Sequence, residues 1–247
     1  MIPLLAISKF IAFVFGVFAT LKLRQSWKNN PGDEAIYCFY KFFFYLNFVF
    51  LPFLIPPFEV GLGIVQICFY ITNFFIFVCL AYLVRIVLLL TYLKKFRKII
   101  FWIFILAAFG EIILDIIYFE PAKVLTYQFA NFHFIGWILE FPSFLTITHG
   151  ILTAAILGLA AFVFLVKGYH QTNRYLKARS YLLGVGIFFL LVAAIGYLFF
   201  GSLVLLNLDK DIIHGLASVI SLIFIVLGIY YKKEKVKIED QDGLSNL

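Results

Sequence analysis

Seven long apolar stretches, with Lys and Arg gathered on every second connection between them, constrain this chain more than any other feature. A helix needs roughly 20 apolar residues to cross about 30 Å of hydrocarbon, because it rises about 1.5 Å per residue. By that measure, spans fall near 2–21, 35–55, 62–92, 99–119, 144–166, 180–206 and 211–231. The third is long enough to tilt or to project beyond the lipid. The pattern predicts an all-α polytopic membrane domain over 1–231 and a short charged tail, 232–247, whose composition is that of a disordered segment.

The connections then set an orientation. Residues 22–34 carry three Lys/Arg, 93–98 carry four, 167–179 carry four and the tail carries four, against Lys123 and Lys210 on the opposite side. Positive residues stay on the cytoplasmic side, so the expected arrangement is N-terminus outside and C-terminus inside, in the cell membrane. The first apolar segment has no basic residue before it; Lys22, Arg24 and Lys28 follow it, which favours a retained span over a cleaved signal. The net charge of +7 therefore belongs to helix ends and not to a basic soluble face, which excludes nucleic acid as a partner. A globular chain is about half apolar and a quarter charged. This one is 64% apolar and 13% charged, so the lipid bilayer must solvate most of its exterior. Cys38, Cys68 and Cys79 fall in apolar segments without metal-ligand spacing and read as packing residues.

Segment 120–143 is apolar enough to resemble an eighth span. Counting it as one puts the basic stretches 93–98 and 167–179 on opposite faces, against the charge rule. Its mixture of Lys123, Tyr127, His133, Trp137 and several Phe suits an outer interfacial helix or lid over the mouth of the bundle. Gly184, Gly186, Gly196 and Gly201 cluster in the sixth span, where small residues allow close helix approach.

Ionisable groups at membrane depth cost a few kcal/mol or more, so they face the bundle interior and find partners. Glu111 and Asp115 are four residues apart and share one face of the fourth span. At helical rise Glu111 lies about 12 Å below the outer boundary and Lys9 about 10 Å below it, which predicts a Lys9–Glu111 pair. His149 and His214 enter the fifth and seventh spans from the same side. Each begins a His-Gly pair with a hydroxyl residue four positions on, Thr153 and Ser218. Lys9, Glu111, Asp115, His149 and His214 are thus the candidate ligand-binding set. Nearer the inner face, Lys41 and Arg85 lie about 9 and 12 Å from their helix ends. Snorkelling to head groups, or reaching Asp33 and Glu34, is preferred there over an anion site.

The residue types of the outer set suit a divalent metal, with His149, His214 and Asp115 as its ligands. No compact motif such as HxxxH accompanies them, so pairing within the protein is the preferred reading. Retinal needs a Schiff-base lysine in the seventh span, and 211–231 contain none.

The first two segments and their connection, RQSWKNNPGDEAIYCFYKFFF, resemble the start of the seven-helix sensor modules found at the N-termini of bacterial histidine kinases and cyclases, through Trp27, Pro31, Gly32 and Ala35. Mixed charge at the outer end with cations alone at the inner end makes a non-enzymatic sensor or receptor-like module the leading expectation, and the resemblance agrees with it. No output domain follows in this sequence, so the signal is expected to pass through the basic loops to a separate cytoplasmic partner. The alternatives are a metal-dependent membrane hydrolase at the same outer cluster and a small transporter.

Overall fold

In hydrocarbon every backbone N–H must find its acceptor within the protein, and an isolated apolar run does so only as a helix. A computed structural model describes residues 4–54, 62–91, 93–118, 123–129, 132–138, 143–199 and 207–231. Its helices are α1 (Leu4–Asn29), α2 (Glu34–Phe50), α3 (Leu62–Leu90), α4 (Arg97–Ile117), α5 (Ser143–His170), α6 (Arg174–Phe199) and α7 (Asn207–Tyr230). Short 3₁₀ turns follow α2 at Leu51–Leu54 and precede α4 at Lys94–Phe96. All seven helices are long and apolar enough to cross a membrane.

Several helices run past the expected apolar limits. α1 continues from 21 to Asn29, α5 ends at His170 and α6 already begins at Arg174. Much of the basic charge expected on loops therefore sits on helix ends, since Lys, Arg and Gln are good helix formers. The chain breaks where Asn30-Pro31-Gly32 and Gln171-Thr172-Asn173 interrupt them. Asp33 then caps α2 by accepting the Ile36 N–H at 3.0 Å. Asn173 caps α6 by accepting from Tyr175 and Leu176 at 3.0 and 3.4 Å. The sixth helix is described to Phe199, so Gly201 and the tail 232–247 lie outside the described residues.

Among the described residues, the 120–143 segment departs from helix. In place of an interfacial helix it forms β1 (Lys123–Phe129) antiparallel to β2 (Phe132–Ile138), in a register running from Lys123 opposite Ile138 to Phe129 opposite Phe132. Val124, Thr126, Tyr127, Phe134, Ile135 and Trp137 are β-branched or aromatic, types that favour the pleated backbone. Pairing the two strands satisfies backbone groups that an apolar surface segment would otherwise leave open. β2 lies against α1.

Helices α1, α2, α3, α5, α6 and α7 pack in that order into a closed ring, α7 returning to α1, while α4 sits outside the ring on α3. α3 is the most enclosed span, 61% buried over its most apolar stretch, and α4 the least, at 11%. Ile99, Trp102, Ile103, Leu106, Phe109, Ile113 and Ile116 face outward from α4 at helical spacing. Phe43, Leu83, Ile86, Leu222 and Ile225 fill the core, and Cys38, Cys68 and Cys79 are buried free thiols within the packing.

Two glycines set helix separations. A Cβ on Gly186 of α6 would meet the Ser221 carbonyl oxygen of α7 at 2.9 Å, and the Ser221 hydroxyl donates back to the Gly186 carbonyl at 2.7 Å. A Cβ on Gly16 would collide with Asn47 Oδ1 across the α1–α2 interface.

Candidate functional site

α4 buries a single face, and that face carries the acidic residues. Asp115 is 1% exposed. Asn73 Nδ2 donates to its Oδ2 at 3.2 Å, and the Tyr70 hydroxyl donates to its backbone carbonyl at 3.2 Å. Gln66 Nε2 in turn donates to the Tyr70 hydroxyl at 2.7 Å. Gln66, Tyr70 and Asn73 recur at four and three residues, so one stripe of α3 supplies the whole ladder. Asp115 Oδ1 has no hydrogen-bond partner among the described residues.

One turn along α4, Glu111 Oε1 lies 3.3 Å from His149 Nδ1 of α5, with both side chains nearly enclosed. The His149 ring leans on Phe77 of α3 at 4.9 Å between centroids. Four residues on from His149, the buried Thr153 Oγ1 has no partner among the described residues. Three helices thus bring together two carboxylates, an imidazole, two carboxamides and a phenol inside an apolar bundle.

The other two expected members lie elsewhere. Lys9 is 2% exposed and donates to Ser218 Oγ of α7 at 3.2 Å. Its ammonium sits 5.3 and 5.8 Å from the ring centres of Phe50 and Phe53. The Ser218 hydroxyl donates to the His214 carbonyl at 2.7 Å, and His214 Nδ1 is 3.0 Å from the Ala193 carbonyl of α6. The expected Lys9–Glu111 pair is therefore replaced by Glu111–His149 and Lys9–Ser218. Similar depth does not make neighbours: α1 packs on α2 and α7, whereas α4 packs on α3. The metal set of His149, His214 and Asp115 draws on α5, α7 and α4, and α6 stands between α5 and α7. Among the described residues no three His, Cys, Asp or Glu side chains converge to hold a metal ion.

At the opposite end of α3 and α4 lies a second polar group. Arg85 donates to Glu34 Oε1 through Nη2 at 2.6 Å and Nε at 3.0 Å, and Arg97 Nε reaches the same oxygen at 3.0 Å. Arg85 thus takes the Glu34 option open to it in the sequence. Tyr70 and Arg97 are the participants that sequence reasoning passed over. The Gln66-Tyr70-Asn73 spacing was the available signal for the first, and nothing local distinguished Arg97 from its basic neighbours. No protein-family model matches this chain, and no curated protein matches it in sequence.

Proposed function

We propose that this chain is an integral membrane sensor or receptor-like module whose signal is a small cation or proton taken up between α3, α4 and α5. The observation that carries the reading is Asp115, a buried carboxylate with one oxygen unpartnered among the described residues and a second carboxylate one turn away. His149 supplies at most one positive charge against two negative ones. A bare carboxylate oxygen in an apolar interior costs free energy that a proton or bound cation removes. Occupancy of the cluster therefore changes how firmly α4 holds to α3 and α5.

Helices α3 and α4 also meet Glu34, through Arg85 and Arg97, at the basic end. A shift of α4 on α3 at the cluster is felt there, where the basic turns would present a changed surface to a cytoplasmic partner. Two arrangements of one helix pair are the element that a sensor of this kind requires.

A fluorophore on Lys98→Cys, in a chain with Cys38, Cys68 and Cys79 replaced by Ala, reports the basic end. Protons, Na⁺, K⁺, Mg²⁺ and Ca²⁺ are titrated in turn. A saturable signal change with one of them, lost in both Asp115→Asn and Glu111→Gln, is expected. A flat signal with all five ends this reading.

A further inference from the structure

At the basic end, α2 and α4 both lie against α3, and a continuous line of side chains joins them across it. Tyr45 of α2 stacks on Tyr82 of α3 at 5.6 Å, and Tyr82 meets the edge of Phe101 of α4 at 5.0 Å. The Arg85 guanidinium lies 5.5 Å from the Phe101 ring centre. Lys41 Nζ sits 5.9 Å from the ring centre of Tyr45 and within 5.4 to 5.8 Å of Tyr40, Phe44 and Tyr37. Along this floor stand three cations, Lys41, Arg85 and Arg97, with Glu34 as the carboxylate that engages two of them.

Lys41 differs from the two arginines. It lies two turns into α2, among aromatic rings, and no carboxylate is within ion-pair distance of it among the described residues. A partly exposed ammonium at that depth can take an anion that comes from the lipid side. The Glu34 bridge leaves its members partly open, with side-chain exposures of 18% for Arg85, 30% for Arg97 and 29% for Glu34. Beyond Phe101 the exposed Trp102 and Ile103 of α4 form an apolar wall suited to an acyl chain.

We propose that this aromatic-floored cationic groove binds the phosphate of an anionic phospholipid, held between Lys41 and the Arg85–Arg97 pair. The net positive charge of the set suits the single negative charge of a phosphodiester, and Lys41, Arg85 and Arg97 are each partly exposed. Arginine and lysine together are the usual phosphate binders, one by its planar fork and the other as a point charge. The assignment shares the membrane reading with the proposed function but uses none of the α3–α4–α5 cluster.

The test uses the full chain in nanodiscs made from equal parts phosphatidylglycerol and phosphatidylcholine. Lipid that stays with the protein on detergent extraction is identified by mass spectrometry. Phosphatidylglycerol should be retained in preference on the order of tenfold. Lys41→Gln leaves the Glu34 bridge intact and should remove much of the preference, and Lys41→Gln with Arg97→Gln should abolish it. Asp115→Asn should retain it in full, so failure of the cation reading leaves this one standing. Equal retention of both lipids, or a preference unchanged in a folded Lys41→Gln protein, overturns the proposal. Retained phosphatidylglycerol that a large excess of inorganic phosphate strips away would assign the groove to a soluble phosphate and overturn the lipid assignment.

Discussion

Glu111 reaches His149 at 3.3 Å, tying the peripheral helix α4 to α5 of the ring across the face of α3. α4 is otherwise supported by α3. Replacing Glu111 with Gln weakens this tie and should lower stability by about 1.5–3 kcal/mol, the usual worth of a hydrogen bond with a charged partner. Thermal unfolding in detergent reads the loss. A cysteine pair placed across α4 and α5 should cross-link more slowly in the same variant.

Asp115 should behave in the opposite sense. Asn keeps the shape and an acceptor for Asn73 but removes a charge that has an unpartnered oxygen among the described residues, so Asp115→Asn should be as stable as the parent or more so. Asp115→Ala strands the Asn73 amide and should cost about 1–3 kcal/mol. A large destabilisation in Asp115→Asn, measured by the same unfolding transition, would show that the charge itself is held by a partner.

Gly186 should tolerate no side chain. Valine there would drive a methyl group into the Ser221 carbonyl and Ile225, forcing α6 and α7 apart, at about 1–3 kcal/mol for overpacking. Ser221→Ala removes one hydrogen bond without a clash and should cost about 0.5–1.5 kcal/mol. The ratio of the two losses separates close approach from hydrogen bonding as what fastens this interface.

Glu34 accepts from two guanidinium groups through one oxygen. Its removal leaves two half-buried cations facing each other, so Glu34→Ala should destabilise by about 1–3 kcal/mol, more than Arg97→Ala. Raising salt should narrow the difference, because the site is partly open and screening reaches it.

The charge pattern also predicts sidedness. In a cysteine-free background, Lys28→Cys, Lys95→Cys and Lys177→Cys should be labelled by an impermeant maleimide only after the inner face is opened. Thr126→Cys on β1 should be labelled from outside in intact cells. Reversed labelling would invert the arrangement of every element.

Helix number and approximate helix limits were legible in the chain, because apolar length and the alternation of basic turns are one-dimensional properties. The Gly186 contact was legible for the same reason: a small residue in an apolar helix marks a close approach. The hairpin at 123–138 was not, since a run such as FHFIGWI is apolar on both faces and lacks the alternation that separates strand from helix. The partners of Lys9 and Glu111 were not legible either. Depth follows from counting residues, but adjacency depends on the order in which helices close the ring. That order placed α1 beside α7 and left α4 outside. Arg97 was hidden among Lys94, Lys95 and Lys98 until Glu34 was seen to lie against it.

The position of α4 has a mechanical consequence. Six helices complete a circuit without it, so detaching or swinging α4 breaks no link of that circuit. Its connection to α3 is short, with a tight turn at Lys94–Phe96, and most of its surface faces away from the protein. Any swing of α4 about that turn would be largest at the far end of the rod, where Asp115 lies, while the ring it is mounted on keeps its form.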